Sequence, residues 1–423
     1  MGLKVAVIGA GSTYTPELVE GLASRSERLP LDELVLEDVD AERLGVLGGM
    51  AERMLRRLEW PGRLTTTGRI EEAIDGADFV LLQLRVGGQA ARLVDETLPL
   101  RFGTIGQETT GAGGFAKALR TVPVVLDIAD EVKRRSRPGA WIIDFTNPVG
   151  IVTQALLDAG HRAIGLCNVA IGFQRRFARL FDVGPDEIEL DHVGLNHLSW
   201  IRGVRVRGVE RIDEVIERIG SDLERDIGIP VERMRAQRAI PSYYLRYYER
   251  FEDVLAEQRA KTSRAQEVMD IEAKLLELYR DPSVDTKPEL LEHRGGAYYS
   301  EAAAQLLASL HDGSGDLQVV DVRNGGAVPG VPADAVVEVT SRIDRDGAHP
   351  RSVDPLSPEM LELVRSVKAF ERLVIGAALS GDRGDALRAL AANPLVGPST
   401  DPALLLDAIL EANRAMLPRF FPE

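Results

Sequence analysis

Lys4-Val5-Ala6-Val7-Ile8-Gly9-Ala10-Gly11-Ser12 is a β-branched apolar run that breaks into glycine. Such a run reads as a buried strand, and the glycines as the tight turn after it. Residues 16–24 then take helical period. Working outward, Glu33-Leu34-Val35-Leu36-Glu37-Asp38 is a second strand ending in acids, and residues 41–58 form a helix. Strands follow at residues 78–84, 141–145 and 162–166. Continuous apolar strands separated by helices imply a parallel sheet covered on both faces, the doubly wound α/β class.

Beyond about Cys167 the pattern changes. Helical stretches dominate at 254–280, 358–380 and 402–416, with strands expected at 187–193, 317–322 and 336–339. Residues 280–289, with two prolines, read as a loop. The expected division is a Rossmann-type nucleotide-binding domain over residues 1–166 and an α+β domain over 167–423 with a sheet of its own. That second domain would carry substrate, metal and oligomer contacts. At 423 residues, two domains suit the length.

The composition, 44% hydrophobic and 28% charged, is that of a folded chain. A net charge of −15 argues against nucleic-acid binding, which needs a basic field. No apolar run reaches membrane-spanning length, and the first strand starts too early to leave room for a secretion signal. A single cysteine, Cys167, suits a reducing compartment. The expectation is a cytoplasmic protein without nucleic-acid or membrane partners.

Strand, Gly9-Ala10-Gly11-Ser12-Thr13, then helix is where such a sheet meets a dinucleotide pyrophosphate. The third glycine of the usual fingerprint is absent, and Tyr14 stands there. Asp38 has the spacing to hold a ribose hydroxyl and so to favour NAD over NADP, with Glu37 as the competing acid. Cys167 ends a strand at the carboxyl edge of the sheet, where ligands bind. His197 lies among polar neighbours in Gly194-Leu195-Asn196-His197-Leu198-Ser199-Trp200. A cysteine and a histidine do not close a structural site, but open positions are what a catalytic metal needs. Asn147-Pro148 follows another strand to the same edge. Gln107-Glu108-Thr109-Thr110-Gly111 reads equally as an active-site loop or a surface loop.

These segments, with Arg85-Val86-Gly87-Gly88, Asp144-Phe145-Thr146-Asn147-Pro148, Gly165-Leu166-Cys167-Asn168, Ile240-Pro241-Ser242-Tyr243-Tyr244, Arg294-Gly295-Gly296 and Asn324-Gly325-Gly326, occur in an order that resembles glycoside hydrolase family 4. Within it the resemblance is to the 6-phospho-β-glucosidases, over nearly the whole chain. It implies NAD, and Mn²⁺ or another divalent metal held by Cys167 and His197 with hydroxyls of the sugar. It implies hydride removal from the sugar C3, proton removal from C2 by a tyrosinate, elimination at C1, addition of water and return of the hydride. NAD-dependent members of this family are exceptions to the two-carboxylate scheme of glycosidases. Tyr244 matches the family's base, with Tyr243 next to it as the other candidate. Arg85, Arg92 and Arg294 resemble contacts to sugar and phosphate, and Glu108 and Asn147 resemble residues that hold sugar hydroxyls or the metal's surroundings. A homodimer or homotetramer is implied as well.

Two departures stand out. Ala170 replaces a proline usual in the family, which is expected to loosen the loop carrying Cys167. Asn168 replaces the acid of α-cleaving relatives, which favours β-linked substrates and leaves the leaving-group acid unassigned. Two rival readings remain: a lactate- or malate-dehydrogenase-like 2-hydroxy-acid dehydrogenase, which shares this architecture, and a non-catalytic NAD-sensing protein.

Overall fold

Alternate residues of the first strand go to opposite sides of the sheet. Val5 and Val7 join one apolar layer with Leu34, Leu36, Phe79 and Leu81, whereas Ala6 and Ile8 join the other with Val35, Val80 and Leu82. That two-sided burial is what continuous apolar strands require. The computed structural model describes residues 2–296 and 298–422. Parallel strands β1 (Leu3–Ile8), β2 (Leu31–Glu37), β3 (Arg63–Thr67), β4 (Phe79–Leu82), β5 (Trp141–Asp144) and β6 (Ala163–Gly165) lie in the order β3-β2-β1-β4-β5-β6. This is the Rossmann order. The edge strand β3 escaped the sequence reading because its run of threonines is half-exposed and carries no apolar signal.

The later strands are β7 (Ile188–Leu195), β8 (Leu198–Val206), β9 (Val209–Glu210), β10 (Ile240–Pro241), β11 (Asp316–Arg323), β12 (Val336–Asp344) and β13 (Gly347–Pro350). They do not build the separate sheet expected for the second half. Asp321 of β11 pairs with Gly165 of β6, and the sheet continues as β6-β11-β12-β7-β8-β10 with antiparallel pairing. Strand β6 would otherwise be an open edge, and β11 covers it. The expected helix over 254–280 is two helices, Phe251–Ala260 and Arg264–Arg280. Ser263 caps the second by accepting from the Gln266 N–H.

One transverse row of paired residues places the site. It runs Glu37, Ile8, Leu82, Asp144, Gly165, Asp321, Glu338, Gly194, Ser199. From this row β1, β2, β4, β5 and β6 each end, so Gly9, Asp38, Gln83, Phe145 and Leu166-Cys167 emerge side by side. From Gly194 the chain reaches Leu195 and a two-residue turn, Asn196-His197, before returning as β8. The carboxyl edge therefore gathers the glycine turn, Asp38, Asn147 and Cys167, whereas Asn324-Gly325-Gly326 leaves β11 at the opposite end.

Candidate active site

The glycine turn is built for close approach of a ligand. Gly9 has φ 87°, and a Cβ there would meet the Leu84 Cα at 2.7 Å. The Gly11 N–H donates to Asp38 Oδ2 at 2.7 Å, and a Cβ on Gly11 would also meet that oxygen at 2.7 Å. Asp38 Oδ1 accepts from the Asp40 N–H, so the carboxylate is held at the mouth of the turn. Glu37, the competing acid, lies buried in β2, where burial and then Asp38 push its carboxyl up to about 7. Tyr14 replaces the third glycine because its ring is an anchor, packed with Leu47, Met50, Leu275 and Tyr279. The Ser12 hydroxyl accepts from Arg294 at 3.4 Å, and Thr13 donates to Glu272. The shape and polarity of this turn fit a dinucleotide.

Next to it stands a dense ionic cluster. Glu108 meets Arg85, Arg92 at 3.1 Å and Lys117 at 2.7 Å. Those three cations hold its carboxyl well below the usual range despite burial. Arg294 pairs with Glu272 at 2.9 Å. The loop from 104 to 110 is an internal wall, not a mobile surface loop: Glu108, Thr109 and Thr110 are buried, and the Gln107 side chain accepts from the Thr110 N–H. Lys117 escaped the sequence reading. A lysine inside Phe115-Ala116-Lys117-Ala118-Leu119 was the available signal, since a cation in an apolar helical run needs a buried partner. Burial, then Arg85, lower its amine to about 7.

On the other side of the cluster are Cys167, His197 and Tyr244. Cys167 precedes the helix Asn168–Phe181, and the Val169 N–H and the Asn196 amide both donate toward its sulfur. Burial pushes its thiol well up, and the acids Glu338 and Asp321 behind it add to the effect. His197 occupies the left-handed region, φ 63°, as the second residue of the two-residue turn. Burial lowers its imidazole to about 4, so it is neutral at pH 7. Its Nδ1 is buried without a hydrogen-bond partner. An orphaned imidazole nitrogen near a buried sulfur fits a divalent metal of borderline softness. Among the described residues no group of three or more His, Cys, Asp or Glu side chains is placed to hold a metal.

The Tyr244 ring stacks on His197 with centroids 3.7 Å apart and planes at 10°. Tyr243 turns away and stacks on Phe173 at 4.9 Å and 6°. Only Tyr244 of the two therefore faces the Cys167–His197 pair. Burial raises its phenol well above the ordinary value, and Cys167 adds to this. Tyr299 belongs to the same wall, edge-on to Phe145 and within electrostatic reach of Cys167 and Tyr244. The sequence reading had given it no role. Asn147 stands at the same edge with its Oδ1 buried and unpartnered, and its peptide bond to Pro148 is cis. Asn168 is the first residue of its helix. Ala170 continues that helix, buried in its first turn.

A Family 4 glycosyl hydrolase model matches residues 4–183, and the model of that family's C-terminal domain matches residues 192–396. The chain belongs to glycoside hydrolase family 4. It is 41% identical over 435 residues to a probable 6-phospho-β-glucosidase of Bacillus subtilis (strain 168), covering 99% of this chain and 98% of that one. The 6-phospho-β-glucosidase of Thermotoga maritima, solved with manganese, NAD⁺ and glucose-6-phosphate, superposes with TM-score 0.92 at 37% identity, covering 98% of this chain and 99% of that one. A malate dehydrogenase of Plasmodium falciparum with NADH has TM-score 0.54 at 16% identity, covering 89% of this chain and 98% of that one, which is a likeness of fold alone. Among the described residues no helix is long and apolar enough to cross a membrane.

Proposed function

We propose that this family 4 chain hydrolyses 6-phospho-β-glucosides with NAD and a divalent metal, Mn²⁺ first among the candidates. The observation that carries this reading is the Tyr244 ring lying on His197 beside Cys167, on the sheet edge that also presents the glycine turn. When bound, NAD supplies a reversible hydride acceptor for the sugar C3, and the metal held by Cys167 and His197 supplies a Lewis acid that makes the C2 proton removable. As the phenolate, which a nearby cation would favour over the neutral phenol, Tyr244 takes that proton; once the aglycone has left, water adds to C1, C2 is reprotonated and the hydride returns to C3. Glu108, kept ionised by Arg85, Arg92 and Lys117, accepts from sugar hydroxyls, and Asn147 offers its free Oδ1 to the same ring. Arg294 and Arg92 stand ready for the 6-phosphate, since guanidinium groups bind phosphate in bidentate fashion. Asn168 has no proton to give a leaving group, which favours the β-linkage.

The chain acts in the cytoplasm as a homodimer or homotetramer in this reading, and light scattering of the purified enzyme tests the assembly. For the activity, release of p-nitrophenol from its β-glucoside 6-phosphate is measured with NAD and Mn²⁺ each added or withheld. Hydrolysis that needs both, without net NADH, is the expected result. Hydrolysis that ignores either would overturn the mechanism. Net NADH from 2-hydroxy acids would instead support the dehydrogenase reading, which the stack on His197 disfavours.

A further inference from the structure

Behind the Cys167–His197 pair, the sheet carries a buried polar chain that the reaction itself does not use. Glu338 of β12 is paired directly with Gly194 of β7, so its side chain rises over a residue that has none. His192 lies two residues before Gly194 on the same face of the strand, and Asn196 two residues after it, in the turn. Glu338 reaches both: His192 Nε2 lies 2.7 Å from Oε2, and the Asn196 amide donates to Oε1 at 3.2 Å. All three side chains are buried. Gly194 is required twice over, because a Cβ there would also meet the Leu198 carbonyl oxygen at 2.2 Å.

Asn196 connects this chain to both members of the pair. It is the turn residue immediately before His197, and its amide also faces the Cys167 sulfur. His197 holds a left-handed backbone that a non-glycine residue keeps only where its surroundings enforce it. We propose that Glu338 is a positioning residue that, by clamping Asn196 against His192 across Gly194, sets the Asn196-His197 turn and the Cys167 sulfur in the relative placement that a divalent metal needs. This rests on the reading of Cys167 and His197 as metal ligands. Carboxylates in the surroundings of a metal site act in this way, and their loss typically costs roughly 10–100-fold in metal affinity.

The test uses the full-length chain and Co²⁺, whose thiolate charge-transfer absorption reports the sulfur bond directly. Co²⁺ titrations are run on wild type, Cys167→Ala, Glu338→Leu, Glu338→Gln and Asn196→Ala, each with its NAD affinity as a check on folding. The metal reading predicts a charge-transfer band in wild type that Cys167→Ala abolishes. Absence of the band in wild type would defeat that reading, and the present inference with it. If the band is present, Glu338→Leu should bind Co²⁺ roughly 10–100-fold more weakly with a shifted band and unchanged NAD affinity. Glu338→Gln should recover most of the loss, because its carbonyl still accepts from Asn196 and His192 can change tautomer. Unaltered Co²⁺ affinity and spectrum in Glu338→Leu would overturn the proposal while leaving the metal reading intact. Should Glu338→Leu fail to fold, Asn196→Ala decides: weakened Co²⁺ binding supports the clamp, and wild-type binding refutes it.

Discussion

The glycine turn and the Cys167–His197–Tyr244 corner stand on the same sheet edge but are built by opposite means. The turn is assembled from neighbours in sequence: Gly9 and Gly11 follow one strand, Asp38 follows the next, and main-chain N–H groups do the holding. The corner takes Cys167 from the end of β6, His197 from the β7–β8 turn and Tyr244 from a short helical turn after β10. Its ionic floor comes from Arg85, Glu108, Lys117 and Arg294, spread over some two hundred residues. A local backbone motif can bind a cofactor that many chemistries share. A long-range cluster of side chains is what makes the chemistry particular.

The sharpest way to separate the two regions is to remove a residue proposed to hold the metal. Cys167→Ala or His197→Ala should lower hydrolysis on the order of a thousandfold, the worth of several kcal/mol of charge stabilisation, while isothermal titration finds NAD binding unchanged. Loss of NAD binding in these variants would show that the two regions fold as one unit. Tyr244→Phe should cost roughly 10²–10⁴ in kcat, the range for a lost proton carrier, and should abolish exchange of the sugar C2 proton with solvent deuterium. Tyr243→Phe, which alters only the hydroxyl of a ring stacked on Phe173, should stay within about tenfold of wild type. Equal losses in the two variants would break the distinction that their ring stacking draws.

Gly11→Ala addresses the other side of the comparison. A methyl forced against Asp38 should weaken NAD by ~10-fold or more, the cost of overpacking, with Co²⁺ binding untouched. The smallest effect concerns pH. The Glu37 carboxyl is raised by burial to about 7, so its neutral form is favoured in the folded chain. Stability from this group is fully present below its unfolded value of about 4.3 and is lost as pH rises through about 7. Urea unfolding of wild type between pH 5 and 8 should therefore lose about 2 kcal/mol relative to Glu37→Gln, which has no such slope. A common slope in both proteins would place the titration elsewhere.

Much of this was legible in the chain. Five of the six parallel strands announce themselves as apolar runs, since a strand buried on both faces has no polar side to show. The edge strand β3 did not, because its threonines are half-exposed, nor did the hairpin strand β8, whose apolar residues are interrupted by Ser199, Arg202, Gly203 and Arg205. Likewise the ordered motifs brought Cys167, His197, Glu108 and Asn147 into view, but not Lys117, and gave Tyr299 no role. The apolar run around Lys117 signals a buried cation but does not name its partner, Glu108, 2.7 Å away.

By itself, then, the sequence determined the doubly wound sheet, the glycine turn with Asp38, and the residue types able to bind a metal and move a proton. These depend on hydrophobic period and on backbone freedom, which act over a few residues. Only the tertiary structure decided that the second half extends the first sheet through Asp321 and Gly165, that Tyr244 and not Tyr243 faces His197, and that Glu338 sits over Gly194 between His192 and Asn196. Register between strands distant in the chain sets the first and the last of these, and a shift of one residue would turn Asp321 and Glu338 to the other face; the short helical turn at 243–245 sets the second.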